Sequence, residues 1–130
     1  MASSESYPED LLYTSDHDWA RVNGDEASFG ITWYAQSQLG EIVYWDGAKV
    51  GDAIGKDETY TELESVKAVS EVIAPLSGLI IAVNEAALEA PESINASPYG
   101  EGWLVRVSLT APDQAADLLS HAEYRELIEQ

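Results

Sequence analysis

The chain contains no cysteine, which excludes a disulfide frame, a thiolate nucleophile and any cysteine-ligated zinc or iron–sulfur site. That absence fits a reducing compartment. Basic residues are scarce as well: Arg21, Lys49, Lys56, Lys67, Arg106 and Arg125 stand against 24 acidic residues, for a net charge of −18. Scattered in this way along the sequence, the six bases are expected to form no patch. A surface this acidic repels phosphate backbones and anionic headgroups, so neither nucleic acid nor membrane is expected as a partner. Long apolar runs are missing too, since the longest aliphatic stretch, Leu79 to Val83, falls far short of the ~18 to 20 residues a membrane span needs. Residues 1–10 have neither the basic nor the apolar region of a signal peptide and are too acidic for a transit peptide,. The expectation is a cytoplasmic, monomeric chain with a flexible extension over residues 1–10.

What is present suffices for a core. Hydrophobic residues make up 45%, with 4 Trp and 7 Tyr, and mean hydropathy is −0.18, so the 130 residues are expected to fold as a single domain over 1–130. Short β-prone runs predict strands over Leu11–Thr14, Asp18–Val22, Ala27–Ile31, Ile42–Trp45, Tyr60–Glu64, Val69–Ile73, Gly78–Asn84 and Trp103–Leu109,. Gly, Asn, Asp and Pro punctuate them at Asn23-Gly24-Asp25, Asp46-Gly47, Val50-Gly51-Asp52 and Pro75 to Gly78,. Thr32 is placed to cap a short helix over Trp33–Leu39 that Gly40 ends. Ala115–Leu119 and Glu123–Ile128 carry apolar spacing near 3.6 and predict a helical pair against the sheet edge. Ser93–Trp103, with Pro98, Gly100 and Gly102, reads as an ordered loop. A weak echo relates the segments before and after Lys67, as though two half-units met at a hairpin with Val66-Lys67-Ala68 at its tip.

The sequence holds no Gly-rich phosphate loop, H-E-x-x-H, G-x-S-x-G or EF-hand pattern, which together with two His and no Cys argues against an autonomous enzyme. Asp16-His17-Asp18 offers metal-ligating groups, but strand alternation puts His17 on one face and both aspartates on the other, so no metal site is expected. Tyr60 to Ala74 is more informative. It places one of only three lysines at the tip of a tight hairpin between alternating strands. Such a lysine serves either as a solubilising gatekeeper or as a covalent attachment point, where an amine on a flexible four-carbon stem carries a swinging cofactor.

Glu64-Ser65-Val66-Lys67-Ala68 resembles the lipoyl-attachment hairpin of the glycine cleavage H-protein family. The same family is matched, in order, by Tyr13 to Trp19, Gly30-Ile31-Thr32, Tyr34-Ala35-Gln36, Leu39 to Val43, Ala74 to Gly78, Val83-Asn84-Glu85, Ile94-Asn95 and Pro98 to Trp103, spanning Leu11 to Leu109. Biotin carriers place Met on both sides of the lysine, and lipoyl domains of 2-oxoacid dehydrogenases read Asp-Lys-Ala; here the neighbours are Val66 and Ala68. Three departures stand out: Trp33 where an acid is usual, Asp18 where Glu is usual, and Tyr44 to Ala48 in place of a more aliphatic stretch.

The resemblance implies a mostly-β barrel-sandwich hybrid of two small antiparallel sheets, with a short internal helix and C-terminal helices. It implies lipoate amide-linked to Lys67, within the attachment motif Glu64, Ser65, Val66 and Ala68, on a non-catalytic carrier. The cargo would be the aminomethyl group of glycine. The implied partners are glycine decarboxylase, aminomethyltransferase and dihydrolipoamide dehydrogenase. A lipoate ligase, or an octanoyltransferase with lipoyl synthase, would install the cofactor. The loaded arm is expected in a cleft near Asp18, Ile31, Thr32, Gln38 and Glu71. Two alternatives stay open: a related lipoate carrier of another pathway, such as sulfur oxidation, and a non-catalytic interaction module that keeps the fold.

Overall fold

The computed structural model describes residues 7–129. Among the described residues, nine strands form two antiparallel sheets. The larger holds β1 (Leu12–Tyr13), β2 (Asp18–Asn23), β3 (Glu26–Ile31), β9 (Val105–Leu109), β8 (Gly78–Val83) and β5 (Ala53–Ile54), in that spatial order. The smaller holds β4 (Ile42–Trp45), β6 (Thr59–Ser65) and β7 (Val69–Ile73). The sheets are thus unequal, six strands against three. Their inner faces are set by alternation: Ala20, Ala27, Phe29 and Ile31 on β2 and β3 pack with Leu63 and Val72 of the smaller sheet, while Glu62 and Glu64 turn outward,.

The echo around Lys67 has a geometric counterpart. Thr61 pairs with Val72 and Glu64 with Val69, and further out Ala53 pairs with Leu79 and Ile54 with Gly78. The chain therefore folds back on itself about Val66–Lys67, contributing its inner pairs to one sheet and its outer pairs to the other.

A second apolar cluster lies outside the larger sheet, where Leu11, Tyr13, Trp19 and Tyr124 are buried together. The Trp19 ring lies so close over Gly30 that a Cβ there would come within 2.6 Å of it, so that position takes only glycine. Helix α4 (His121–Ile128) brings Tyr124 into this cluster, and its N-terminus carries a capping box of Ser120 and Glu123,. Of the extension expected over residues 1–10, residues 1–6 lie outside the described residues. Within 7–10, Tyr7 meets Tyr13 and Tyr124 edge-on and the Pro8 carbonyl accepts from the Tyr13 hydroxyl at 2.7 Å, while Glu9 and Asp10 are exposed.

Several expected elements differ. Gly78–Asn84 and Trp103–Leu109 are shortened to β8 and β9, and Leu11–Thr14 is reduced to two residues. The expected loop Ser93–Trp103 begins with helix α3 (Glu92–Ala96), preceded by α2 (Glu85–Glu89). The expected helix Ala115–Leu119 is a 3₁₀ turn over Pro112–Asp117. Pro112 opens that turn, and the Leu119 backbone is diverted to pair with Tyr13 through two hydrogen bonds of 2.7 and 2.9 Å.

Candidate functional site

The β6–β7 hairpin ends in the exposed residues Val66, Lys67 and Ala68. Its turn is organised from beneath by Ser65, whose buried Oγ accepts from the Lys67 N–H at 3.2 Å and the Ala68 N–H at 3.1 Å,. The Ser65 N–H donates to the Ala68 carbonyl at 2.8 Å, and the Val66 N–H donates to the Glu41 carbonyl at 3.2 Å. Glu41 follows helix α1 (Trp33–Leu39), capped by Thr32 and ended by Gly40 at φ +81°. Asn95 of α3 ties this junction down: its amide donates to Gln36 Oε1 and the Gly40 carbonyl, and its Oδ1 accepts from the Ile42 N–H at 2.8 Å. The lysine is thus free while its backbone is held at several points. Its stem passes over Gly40, where a Cβ would stand 3.7 Å from Lys67 Cε.

A cleft of about 220 Å³ opens between α1, the β7 edge and the turn before β2. Asp18, Ile31, Gln38 and Glu71 all line it. Thr32 does not. It is fully buried behind the lining, with Oγ1 accepting from the Ala35 N–H and sharing a 2.8 Å hydrogen bond with the Tyr124 hydroxyl. The lining also includes Asp16, His17, Tyr34, Leu39, Leu63 and Val72, none of which was singled out from the sequence as a cleft residue. Asp16 and His17 escape notice because strand alternation does not hold there. His17 has φ +72° in a turn closed by Thr14, whose carbonyl accepts from the His17 N–H and whose N–H donates to the Asp18 carbonyl. This corrects the expected opposition of faces: Asp16, His17 and Asp18 all border one cleft. Among the described residues, no three His, Asp or Glu side chains are grouped to hold a metal ion.

The polar groups of the cleft differ in environment. Asp18 is 2% exposed; burial, followed by the neighbouring charge of Asp16, raises its carboxyl well above the ordinary carboxylate range, against the weaker pull of the Thr14 hydroxyl,. Burial lowers the His17 imidazole. Its Nδ1 lies 2.8 Å from the Tyr124 hydroxyl, and its ring packs against Tyr34 with centroids 4.7 Å apart. The result is an apolar lining of Ile31, Leu39, Leu63 and Val72 with the buried Asp18 beside it and the exposed carboxylates of Asp16 and Glu71 at its rim. Such a cleft suits a hydrocarbon chain that ends in a cation.

Two facing antiparallel sheets with a free lysine on a protruding hairpin place this protein among the barrel-sandwich hybrids. Residues 11–130 match the family model for the glycine cleavage H-protein. The chain is 48% identical over 123 residues to the glycine cleavage system H protein of Nitratidesulfovibrio vulgaris, covering 95% of each. It is 50% identical over 125 residues to that of Thermosynechococcus vestitus, covering 95% of this chain and 96% of the relative. The crystal structure of a glycine cleavage system H protein from Mycobacterium marinum superposes with a TM-score of 0.87 at 39% identity, covering 95% of this chain and 99% of that one. The chain belongs to the glycine cleavage H-protein family.

Proposed function

We propose that this protein is the lipoyl carrier of a glycine cleavage system, with lipoate amide-linked to Lys67. The observation that carries the reading is an exposed lysine on a rigidly held turn at the end of a hairpin whose β7 strand borders an apolar, acid-rimmed cleft. When bound, lipoate supplies a disulfide that takes up the aminomethyl group of glycine on glycine decarboxylase and passes it to aminomethyltransferase, before dihydrolipoamide dehydrogenase restores the disulfide.

The chain's own residues present, hold and shield. Ser65 fixes the backbone of the attachment turn so that the installing enzyme, a lipoate ligase or an octanoyltransferase with lipoyl synthase, meets one geometry. The apolar lining keeps water from the arm. Asp18 and Glu71 offer carboxylates to the cargo's ammonium, and Gln38 offers a neutral partner. A carboxyl kept high by burial, as at Asp18, gains most from a cation brought against it.

Expression with lipoate and a ligase, followed by intact-mass and peptide mapping, should show one lipoyl group on Lys67 and none on Lys49 or Lys56. Lys67→Arg should keep the fold and take up nothing. The lipoylated protein should then support glycine-dependent bicarbonate exchange by glycine decarboxylase. Modification elsewhere, or none with competent enzymes, overturns the attachment site. Lipoylation without exchange overturns the pathway and leaves a carrier of another one.

A further inference from the structure

The six bases, scattered in sequence, do not all stay apart in space. Strand register sets Arg21 opposite Ser28 and Ser28 opposite Arg106, so β2, β3 and β9 carry the three residues in one row. Side chains alternate along these strands, and Ala20, Ala27, Phe29 and Val107 belong to the core between the sheets. The row therefore lies on the outer face of the larger sheet, turned away from the sheet that bears Lys67. One step along the strands, Asn23 pairs with Glu26. These five side chains, together with Ala27, border an open depression of about 310 Å³ on that face, with Arg21, Asn23, Glu26 and Arg106 exposed around it.

The two arginines rest on indole rings. Arg21 lies over the Trp19 ring and Arg106 over the Trp103 ring, each with the guanidinium carbon 5.5 Å from the ring centroid,. Arg21 also contacts the Asp10 carboxylate at 3.6 Å and donates to the Tyr99 carbonyl at 3.3 Å. Among the described residues, neither Arg106 nor Glu26 has an ion-pair partner within 4.0 Å, and the Ser28 hydroxyl makes no side-chain hydrogen bond. Opposite charges thus border one depression without meeting.

We propose that this depression binds a small zwitterionic α-amino acid, its carboxylate on the Arg21–Ser28–Arg106 row and its ammonium on Glu26. Arginine forks suit a carboxylate. Glu26 and Ser28 point to the same face two residues apart, about 7 Å along the strand, a step that a ligand with opposite charges on adjacent carbons bridges through two hydrogen bonds. Net charge selects the class further. A surface at −18 repels a free anion or an anionic lipid as a whole, whereas a zwitterion has no net charge and responds only to the local arrangement.

The test uses the full-length, unmodified chain, since nothing in this site involves Lys67. Arginine side-chain Nε–H and backbone amide NMR signals are followed while glycine, the smallest α-amino acid, is added at fixed pH and ionic strength. Acetate and methylammonium serve as probes carrying one charge each. Glycine should shift Arg21, Arg106 and Ser28 saturably and leave Arg125 unmoved, with each single-charge probe about tenfold weaker or more, the loss expected for one charge-assisted hydrogen bond. Arg106→Gln and Glu26→Gln, with the remaining spectrum unchanged as the check of fold, should each weaken glycine by a similar factor. No saturation, acetate equal to glycine, or a glycine affinity insensitive to Glu26→Gln overturns the proposal. So does co-sedimentation with anionic phospholipid vesicles that depends on both arginines.

Discussion

At Asp18 a carboxyl is placed where water hardly reaches, and its effect on stability has a definite sign. Its folded-state pKa lies above the ordinary 3.8, so between the two values the folded chain holds a proton that the unfolded chain has lost. The stability this group contributes is complete below about pH 3.8 and is lost as pH rises through the folded value. His17 acts in the opposite direction. Its pKa is lowered from 6.5 by burial, so its contribution is present above that pH and is lost as pH falls through the folded value. Asp18→Asn should therefore match the wild type in acid and exceed its melting temperature near neutrality, with His17 unchanged in both; thermal melts across pH measure it, and identical profiles would show that Asp18 is not desolvated. The hairpin that presents Lys67 was legible in the sequence because hairpin chemistry is local. The surroundings of Asp18 were not, since they depend on a left-handed residue at 17 and on α1 packing across the cleft.

Among the elements, the β6–β7 hairpin leans on one side chain at its turn. Ser65→Ala removes the oxygen that receives two backbone N–H groups and should cost about 1 to 2 kcal/mol. Hydrogen exchange at the Lys67 and Ala68 amides should quicken and lipoylation by the ligase slow, whereas unaltered exchange would mean that the backbone bonds of Ser65 and Val66 alone fix the turn. The hairpin strands and α1 were legible because their alternation and capping are written in consecutive residues. Helices α2 and α3 were not: five residues are too few for helical propensity to show, and α3 sits where buried Ile94 and the three hydrogen bonds of Asn95 place it. Likewise the 3.6 spacing of Ala115–Leu119 lost to Pro112 and to the pairing of Leu119 with Tyr13, a partner more than a hundred positions away.

For the molecule as a whole, net charge and chain reversal matter most. With −18 overall and Glu62, Glu64 and Glu71 on the strands flanking Lys67, encounters with basic rims on partner enzymes should be accelerated electrostatically. Association with glycine decarboxylase should slow as salt shortens the screening length to ~8 Å and below; stopped-flow rates independent of salt would leave the charge a role in solubility alone. The reversal about Val66–Lys67 bears on how the chain finds its fold. Ser65 and Ala68 close a loop of two residues, and each later pair on the hairpin adds only a little chain to what is already enclosed, so the entropy lost per step is small. Pairing β3 with β9 must instead enclose most of the chain between Ile31 and Val105. Lys67 therefore stands at the starting point of a zipper, and its hairpin should be ordered in the folding transition state while the larger sheet is still open.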